Sequence, residues 1–350
     1  MTILILHPNL TERGGAERKV LLLAKYLKEQ NKNVKILCFR YQKETSFSEL
    51  ICDDDILFCD IRNWYFLVTF LFQIFKQRKF EVLVVSNYPA HLFGIFVKSV
   101  MPKKRMIWIC NEVNSLLHPR VKLKHKIIMW FEKRFISRFD VVIANSQNTK
   151  RKIQNFYKIF PVVVYPGLNL NSGNSEMLTA TGNYFFCISR LTRGKNIEFL
   201  ERILTTTNRQ IILAGDGEMK PYVEKLCKKF DHLEYRGRVS DADKFKLYRG
   251  ALATLFLPVD EPFGVTNIEA INEGCPVIAF NRGGPCEIIT HGKNGYLCEN
   301  EDVYLEHIKD FKSLRGSSSN YSQMMQKKFG LKAMLLGLSY FVNNNNNDAD

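Results

Sequence analysis

Residues 261–277 read Glu261-Pro-Phe-Gly-Val-Thr-Asn-Ile-Glu-Ala-Ile-Asn-Glu-Gly-Cys-Pro-Val277. Glu261 and Glu269 lie eight residues apart on either side of Gly264, where the apolar pattern predicts that a helix begins. The first amides of a helix lack intrahelical acceptors, so Gly264, Val265 and Thr266 can offer N–H groups to an anion. The Glu269 carboxylate, more than one turn inside, can accept hydrogen bonds from a ligand's hydroxyl groups. Glutamates are usually surface charges, but the apolar surroundings here favour a functional site.

Short β-branched or apolar runs alternate with amphipathic stretches on both sides of this segment. Strands are predicted at residues 3–6, 34–39, 82–86, 106–110, 141–144, 162–165, 184–189, 210–214, 233–236, 253–256 and 277–280. Helices are predicted at residues 17–28, 91–100, 125–137, 197–205, 219–230, 243–249 and 268–272. The alternation predicts an α/β protein of two Rossmann-like, doubly wound domains that face a cleft.

The chain has 350 residues, which is enough for two domains of about 150 residues each. Residues 166–182 are rich in Gly, Ser, Asn and Thr and are predicted to link an N-terminal domain (1–165) to a C-terminal domain (183–310). Residues 311–350 are predicted to form a C-terminal helix and an Asn-rich tail. A single final helix is expected over residues 324–341.

The positive charge of the chain is concentrated in its first half. Residues 1–180 carry 28 basic and 14 acidic side chains, whereas residues 181–350 carry 22 and 21. A composition of 46% hydrophobic and 24% charged residues is typical of a soluble globular protein. A basic half joined to a neutral half therefore suggests that one domain faces an anionic partner.

The nine cysteines and the apolar runs bear on where the protein works. The cysteines include no C-x-x-C pair, so a disulfide framework or a zinc site is disfavoured and a cytoplasmic protein is expected. The N-terminus lacks the basic region and cleavage site of a signal peptide. The longest apolar run, residues 64–75, is shorter than the roughly 20 residues of a membrane span.

Two further motifs combine glycines or cations with the predicted ends of strands. Gly14 and Gly15 follow the first strand and precede a helix, a position that suits a phosphate but also a simple tight turn. Arg190 ends a strand and Lys195 precedes the next helix, so the two cations can clamp a diphosphate, although loose cations are often only solvated. Gly215 closes the following strand and permits close approach of a ligand, again with a turn as the alternative.

Together these motifs resemble the family-4 retaining glycosyltransferases of the GT-B fold. The matching residues are Gly14-Gly15, Arg190, Lys195-Asn196, Gly215-Asp216-Gly217, Gly237, Glu261, Glu269, Gly274-Cys275-Pro276, Gly283-Gly284, Glu287 and Gly292 to Tyr296. The resemblance spans about residues 3–300, and the N-terminal part resembles the mannosyltransferases of lipid-linked oligosaccharide assembly. It implies that the C-terminal domain binds a nucleotide-sugar.

The resemblance also implies roles for individual residues. Arg190 and Lys195 would hold the donor diphosphate, and Glu269 would bind the ribose. Glu261 would meet the donor sugar with the amides of Phe263, Gly264, Val265 and Thr266. Gly15 would let the N-terminal loop cover the diphosphate, and Gly215 and Gly237 would let the backbone approach the donor. Such enzymes need no metal or other cofactor, and the chain has no Asp-x-Asp motif to hold one.

One position departs from the family pattern. A histidine that contacts the donor sugar is expected where this chain reads Cys110-Asn111-Glu112, so Asn111 takes its catalytic position. His118, followed by Pro119, is an alternative candidate for the histidine's role.

The basic first half contains a segment that suits a membrane surface. Cations surround Trp130 and Phe131 at helical spacing, and they are Lys122, Lys124, Lys126, Lys133, Arg134 and Arg138. Such a helix can lie on an anionic membrane, although core packing with a solvated basic edge is the alternative. The run 64–75, followed by Lys76, Arg78 and Lys79, is a second candidate.

We therefore expect a cytoplasmic enzyme, peripheral to a membrane, that transfers a hexose with retention to a lipid-linked or glycan acceptor. The expected donor is GDP-mannose, with a UDP-sugar as the alternative. A non-catalytic partner subunit is a second alternative, and Asn111 favours it. A nucleic-acid partner is not expected because no recognised module for one occurs.

Overall fold

The computed structural model describes residues 1–11, 14–45, 47–50, 52–63, 65–113, 123–170, 182–314 and 321–344. The chain divides into two compact units, one formed by Met1–Gly167 with Lys332–Asp350 and the other by Leu168–Leu331. Each unit contains one parallel sheet whose strands are joined by helical crossovers. The predicted α/β class with two Rossmann-like domains is confirmed.

The first unit is built on a seven-stranded sheet. Its strands are β1 (Thr2–His7), β2 (Asn33–Cys38), β3 (Ile56–Phe58), β4 (Val82–Ser86), β5 (Arg105–Cys110), β6 (Val141–Ala144) and β7 (Val162–Val163). Its helices are α1 (Gly15–Glu29), α2 (Phe66–Lys76), α3 (Ala90–Val100), α4 (Leu123–Phe135) and α5 (Gln147–Tyr157). The strand order is β3-β2-β1-β4-β5-β6-β7, so the winding direction reverses between β1 and β4. Ligands of open α/β sheets bind at the carboxyl ends of strands beside such a reversal.

The second unit repeats this plan with six strands. Its strands are β8 (Tyr184–Ile188), β9 (Gln210–Ala214), β10 (Leu233–Tyr235), β11 (Ala253–Phe256), β12 (Val277–Phe280) and β13 (Gly295–Cys298). Its helices are α6 (Phe199–Thr206), α7 (Lys220–Lys229), α8 (Asp241–Gly250), α9 (Val265–Asn272), α10 (Pro285–Ile288), α11 (Glu301–Lys309) and α12 (Ser322–Phe329). The order β10-β9-β8-β11-β12-β13 places the reversal between β8 and β11.

The C-terminal region differs from the expectation of one final helix over residues 324–341. It forms two helices, α12 and α13 (Leu331–Asn343), separated by the extended Gly330. The break allows a bridge to Leu168, whose N–H donates to the Phe329 carbonyl at 2.9 Å and whose carbonyl accepts from the Leu331 N–H at 2.9 Å. Two backbone hydrogen bonds thus replace the helical bonds lost at the break.

The unit boundaries also differ from the predicted segments. The boundary at Gly167 lies inside the predicted linker 166–182, of which residues 171–181 are outside the described residues. The described residues after position 310 do not form one separate segment, because 311–314 and 321–331 belong to the second unit and 332–344 to the first.

Candidate functional site

Most of the predicted donor residues follow the carboxyl ends of strands in the second unit. Arg190 and Lys195 follow β8, Gly215 follows β9, Gly237 follows β10 and Glu261 follows β11. Because the strands are parallel, their carboxyl ends lie along the same edge of the sheet. The fold therefore collects residues from four separate loops at one edge.

An ion pair joins the loops on either side of the strand reversal. The Lys195 Nζ atom lies 2.5 Å from Glu261 Oε2, and both side chains are half-buried. Beside it, the Asn196 side-chain amide donates to the Leu257 carbonyl at 3.1 Å. The predicted phosphate-binding lysine and the predicted sugar-binding glutamate are thus direct neighbours, a pairing that the sequence did not indicate.

The two predicted diphosphate-binding cations have different surroundings. Arg190 is exposed, and within the part of the chain that the structure describes no carboxylate forms an ion pair with it. Arg193, three residues further on, is also exposed, and its backbone N–H donates to Glu218 Oε1 at 3.4 Å. Arg190 therefore needs to break no ion pair before it can bind an anion, whereas Lys195 must separate from Glu261.

The backbone around Glu261 is held by a second glycine pair. A Cβ atom added to Gly283 would lie 2.5 Å from the Glu261 carbonyl oxygen, and one added to Gly284 would lie 2.1 Å from the Phe263 carbonyl oxygen. The Gly284 N–H donates to the Glu261 carbonyl at 2.8 Å. Only glycine permits this close approach, so the loop after β12 positions the loop after β11.

The start of α9 presents backbone amides as predicted for an anion site. Gly264 is the N-cap, with a left-handed φ of 94° and no side-chain cap. Val265 and Thr266 follow as the first helical residues and are half-buried. The Phe263 ring, in contrast, is buried and packs against Phe329 at 5.6 Å between ring centroids. Phe263 can therefore contribute its backbone to a ligand, while its ring belongs to the core.

Glu269 lies further inside α9 and has two neighbours that the sequence did not indicate. Its Oε1 atom lies 3.0 Å from the Nζ atom of Lys244, which also contacts Asp241. Tyr248 contacts Glu269 with its hydroxyl group. Burial raises the pKa of Glu269 above its ordinary value, and Lys244 partly offsets this effect. Glu269 is therefore a partly desolvated carboxylate that still keeps a cationic partner.

The glycines after β9 and β10 are required for different reasons. Gly215 has a φ of 132°, and an added Cβ would lie 1.8 Å from the Ser189 carbonyl oxygen, so the loop after β9 lies directly on the loop after β8. Gly237 has a φ of 64°, and an added Cβ would meet no described atom within 4 Å. The Gly215 N–H donates to the Gly237 carbonyl at 2.7 Å, which ties the two loops together.

Asn111 lies at the carboxyl end of β5 in the first unit and is held by three other residues. Its side-chain amide donates to Asn87 Oδ1 at 2.6 Å, and its Oδ1 atom accepts from Lys19. Its backbone carbonyl accepts from the Asn145 side-chain amide at 2.8 Å. His118 and Pro119 lie outside the described residues. Sequence reasoning missed both Lys19 and Asn87, which lie 92 and 24 positions away from Asn111.

The two glycines at the start of α1 differ in the space around them. An added Cβ on Gly14 would lie 2.1 Å from Glu17 Oε2, whereas one on Gly15 would meet no described atom within 4 Å. Glu17 Oε1 lies 3.6 Å from Nε2 of the buried His7. A side chain at Gly14 would therefore require only the flexible Glu17 side chain to move, while Gly15 has open space in front of it.

Comparison with known proteins places this geometry in a family. A family model described as Glycosyltransferase Family 4 matches residues 13–172, and one described as Glycosyl transferases group 1 matches residues 174–328. The chain belongs to the family-4 glycosyltransferases. The predicted family and the predicted enzyme class are both confirmed.

Individual relatives of this family-4 glycosyltransferase match nearly its whole length. The α-1,3/1,6-mannosyltransferase ALG2 of Mus musculus is 29% identical, over 88% of this chain and 86% of the relative. ALG2 of Dictyostelium discoideum is 26% identical, over 98% of each chain. The crystal structure of HepE from Anabaena in complex with UDP superposes with a TM-score of 0.78 at 18% identity, covering 98% of this chain and 99% of HepE. That similarity concerns the fold alone.

Proposed function

We propose that this family-4 glycosyltransferase transfers mannose from GDP-mannose, with retention at the anomeric carbon, to a lipid-linked or glycan acceptor. The choice of mannose is supported by the relatives named α-1,3/1,6-mannosyltransferase, which match the chain over most of its length. The observation that carries the proposal is the juxtaposition of Lys195, Glu261 and the first amides of α9 at one sheet edge.

The donor diphosphate is bound by cations and backbone dipoles in this proposal. Arg190 offers a planar fork of donors to the phosphate oxygens, and Lys195 offers a point charge once it leaves Glu261. The amides of Val265 and Thr266 add the positive end of a helix dipole. These groups stabilise the negative charge that develops on the leaving diphosphate, the task that a metal ion performs in other transferases. No metal is therefore required.

The remaining site residues act on the two sugars of the donor. Glu269 accepts hydrogen bonds from the ribose hydroxyls, and its partial burial strengthens them because water competes less. Glu261 contacts the transferred sugar after Lys195 has turned to the diphosphate. Asn111 takes the place of the histidine expected in this family and hydrogen-bonds the same sugar. Gly15, Gly215 and Gly237 let the backbone approach the donor closely.

A UDP-sugar is the second candidate donor, because HepE, which shares the fold, was crystallised with UDP. Melting temperatures measured with GDP, GDP-mannose, UDP and UDP-glucose separate the two. A ligand at a hundred times its Kd stabilises the folded state by about 2.7 kcal/mol, which is easily detected. Stabilisation by GDP-mannose but not UDP-glucose is expected, and the reverse pattern would select the UDP-sugar.

Transfer itself is tested with radiolabelled GDP-mannose and a membrane lipid extract as the source of acceptor. The expected result is label in the lipid fraction, absent with the Glu261→Gln variant. Binding of GDP-mannose without any transfer to lipid or to soluble oligosaccharides would instead identify a non-catalytic partner subunit.

The proposal includes a peripheral membrane location, with two surfaces of the first unit that contact an anionic bilayer. Helix α2 buries Phe66, Phe70 and Ile74 but exposes an apolar face. This α2 apolar face consists of Leu67, Val68, Phe72 and Phe75. Among the residues that the structure describes, no helix combines the length and apolar character needed to cross a bilayer. An exposed apolar helix face flanked by cations is typical of surface attachment.

The second surface lies on α4. The exposed fractions of Ile127 and Trp130 are 59% and 65%, beside the exposed cations Lys126, Lys133 and Arg134. Phe131 faces the other way and packs against the core of the first unit. Lys122 lies outside the described residues, as does the side chain of Lys124. Core packing thus accounts for Phe131 but not for the exposed Trp130.

A further inference from the structure

Lys19 is a buried cation in the second turn of α1. Only 5% of its surface is exposed, and its ammonium group donates to Asn111 Oδ1. Burial of an ammonium group is unfavourable unless its hydrogen bonds are satisfied, and here the direct partner is a neutral carboxamide. Burial lowers the pKa of Lys19 to about 8, against the smaller opposing effects of Cys110 and Glu17. An apolar side chain would fill this position more favourably, so stability alone does not explain a lysine.

The effect of Lys19 on Asn111 follows from hydrogen-bond chemistry. A carboxamide has nearly the same shape after a 180° turn, but the turn exchanges its donor and acceptor ends. An ammonium group can only donate, so it holds the oxygen of Asn111 toward α1. The nitrogen then faces Asn87, whose Oδ1 accepts one of its two hydrogens at 2.6 Å. Among the residues that the structure describes, no second group accepts from the Asn111 amide, so its other hydrogen is available as a donor.

Asn87 and Asn145 complete the enclosure of Asn111. Asn87 directly follows β4 with a left-handed φ of 64°, and its N–H donates to the Ile109 carbonyl at 3.4 Å. Asn145 directly follows β6 and donates to the Asn111 backbone at 2.8 Å. Both residues fix where Asn111 lies, but neither can select which end of its carboxamide faces outward, because an asparagine both donates and accepts. Lys19 alone of the three neighbours makes that selection.

We propose that Lys19 is a positioning residue that locks the Asn111 carboxamide as a hydrogen-bond donor to the transferred sugar. The inference rests on the proposed function, in which Asn111 contacts that sugar. In this arrangement the lysine and the asparagine together replace the single histidine expected in the family. The lysine is needed only because an asparagine stands at position 111.

That dependence is tested by a double-mutant cycle on the full chain with Lys19→Met and Asn111→His. In the wild-type background, Lys19→Met should lower kcat about ten- to a hundredfold, the range for loss of one charge-assisted hydrogen bond, with little change in KM for GDP-mannose. In the Asn111→His background the same substitution should change kcat by less than about twofold. Equal losses in both backgrounds, or no loss in the first, would overturn the proposal.

Two controls separate positioning from a general structural role. Lys25→Met removes an exposed lysine of the same helix and should leave kcat unchanged. Lys19→Met should melt at or above the wild-type temperature at pH 7, because it removes a buried ammonium group. Lys19→Arg keeps a cation at all accessible pH values, so it should move the alkaline loss of kcat from about pH 8 to above pH 10.

The expected pH dependence of kcat involves few titratable groups besides Lys19 itself. Within the described ranges, the charged or titratable groups that act on Lys19 are the Cys110 thiol of β5 and the Glu17 carboxylate of α1. Burial raises the pKa of that thiol well above its ordinary range, so the thiol stays neutral over the pH range in which Lys19 loses its proton. A neutral Lys19 amine can accept as well as donate, and the lock on Asn111 is then lost.

A measurement independent of transfer distinguishes failure of this inference from failure of the proposed function. The side-chain amide signals of Asn111 in a ¹⁵N NMR spectrum, assigned with Asn111→Asp, should shift with a midpoint near pH 8. They should not shift in Lys19→Met. Signals that stay constant from pH 6 to 10 in the wild type would overturn the role of Lys19, whichever donor the enzyme uses.

Discussion

Arg190 and Lys195 differ in what each must give up before it can bind a phosphate. Arg190 is exposed, while Lys195 is held 2.5 Å from Glu261. An exposed cation loses little on binding an anion, whereas a paired one exchanges one carboxylate for another acceptor. The measured effect of each residue on donor affinity therefore depends on its free state as well as on its contact with the donor.

Single substitutions should show the contribution of both cations. Arg190→Ala and Lys195→Ala are each expected to weaken GDP binding by about 1.5–3 kcal/mol, because each removes a charge-assisted hydrogen bond. Isothermal titration calorimetry measures the change. Arg193→Ala, which removes an exposed arginine of the same loop, is the matched control and should bind GDP as the wild type does. Wild-type GDP affinity in both test variants would remove the diphosphate clamp from the proposal.

The two glutamates should give different kinetic defects. Glu269→Gln is expected to raise the donor KM, because it weakens ribose binding, while Glu261→Gln is expected to lower kcat. Glu261→Gln also frees Lys195, so its affinity for GDP should equal or exceed that of the wild type. Steady-state kinetics with varied donor provide both parameters. Identical defects in the two variants would show that the division of roles is wrong.

The pH dependence of donor affinity at acidic pH provides a further test of the role proposed for Glu269. Burial raises the pKa of Glu269, so its carboxylate becomes protonated at a higher pH than that of an ordinary glutamate. In the proposed function the ribose is bound by the ionised form, so donor affinity should decline as the pH falls through that raised pKa. The decline should be absent in Glu269→Gln, whose amide does not titrate.

At the scale of single residues, sequence reasoning named candidate site residues but not the side chains that contact them. Glu261, Glu269 and Asn111 each followed from local spacing or from the family pattern. Lys244 lies 25 positions from Glu269, and Lys19 lies 92 positions from Asn111. Contacts at such separations depend on strand order and helix packing, which no local pattern in one sequence records.

At the scale of elements, loops packed against loops position the donor site. The loop after β9 touches the loop after β8 through Gly215, and the loop after β12 touches the loop after β11 through Gly283. Each contact is made by backbone atoms at distances that exclude a side chain. The sheet edge is thus a set of mutually supported loops, so a change in one loop is transmitted to its neighbour.

Alanine at Gly215 should therefore disturb more than its own loop. Its added Cβ would collide with the Ser189 carbonyl next to Arg190, and its positive φ is also unfavourable for alanine, so we expect the two effects to sum to a loss of about 2–5 kcal/mol in the free energy of unfolding, with weaker GDP binding. Gly237→Ala meets open space and should lose only about 1–2 kcal/mol, from its left-handed backbone. Urea denaturation and GDP titration measure both effects. Equal stabilities would contradict the role of close packing at Gly215.

Some elements were predictable from sequence and others were not, for physical reasons. The buried strands β4, β6, β9, β11 and β12 lie where their apolar runs predict. Strand β3 has only three residues and is only half-buried, so its apolar signal is short. Helix α5 is mostly polar, and two of its buried side chains, Asn148 and Thr149, are not apolar, so its buried face carries few apolar residues. The bridge at Gly330 that divides the expected final helix depends on Leu168, far away in sequence.

At the scale of the whole molecule, charge and apolar exposure coincide in one unit. The excess of basic over acidic residues lies almost entirely in residues 1–180. The same part of the chain carries the α2 apolar face and the exposed Trp130 of α4. In the proposed membrane attachment, the apolar side chains would insert into the bilayer and the cations would supply long-range attraction to its anionic surface.

Vesicle binding should therefore depend on α4 and not on the charge of the second unit. The wild type is expected to sediment with phosphatidylserine vesicles at low salt and to be released as salt screens the attraction. Each cation near an anionic leaflet contributes about 1 kcal/mol, so replacing Lys126, Lys133 and Arg134 with Glu should weaken binding by at least about a hundredfold.

The matched control replaces three exposed lysines of α7, Lys220, Lys225 and Lys228, with Glu and changes the net charge equally. If both triple variants lost vesicle binding alike, net charge rather than the α4 surface would be responsible. A wild type that ignored anionic vesicles at low salt would point to a soluble glycan acceptor.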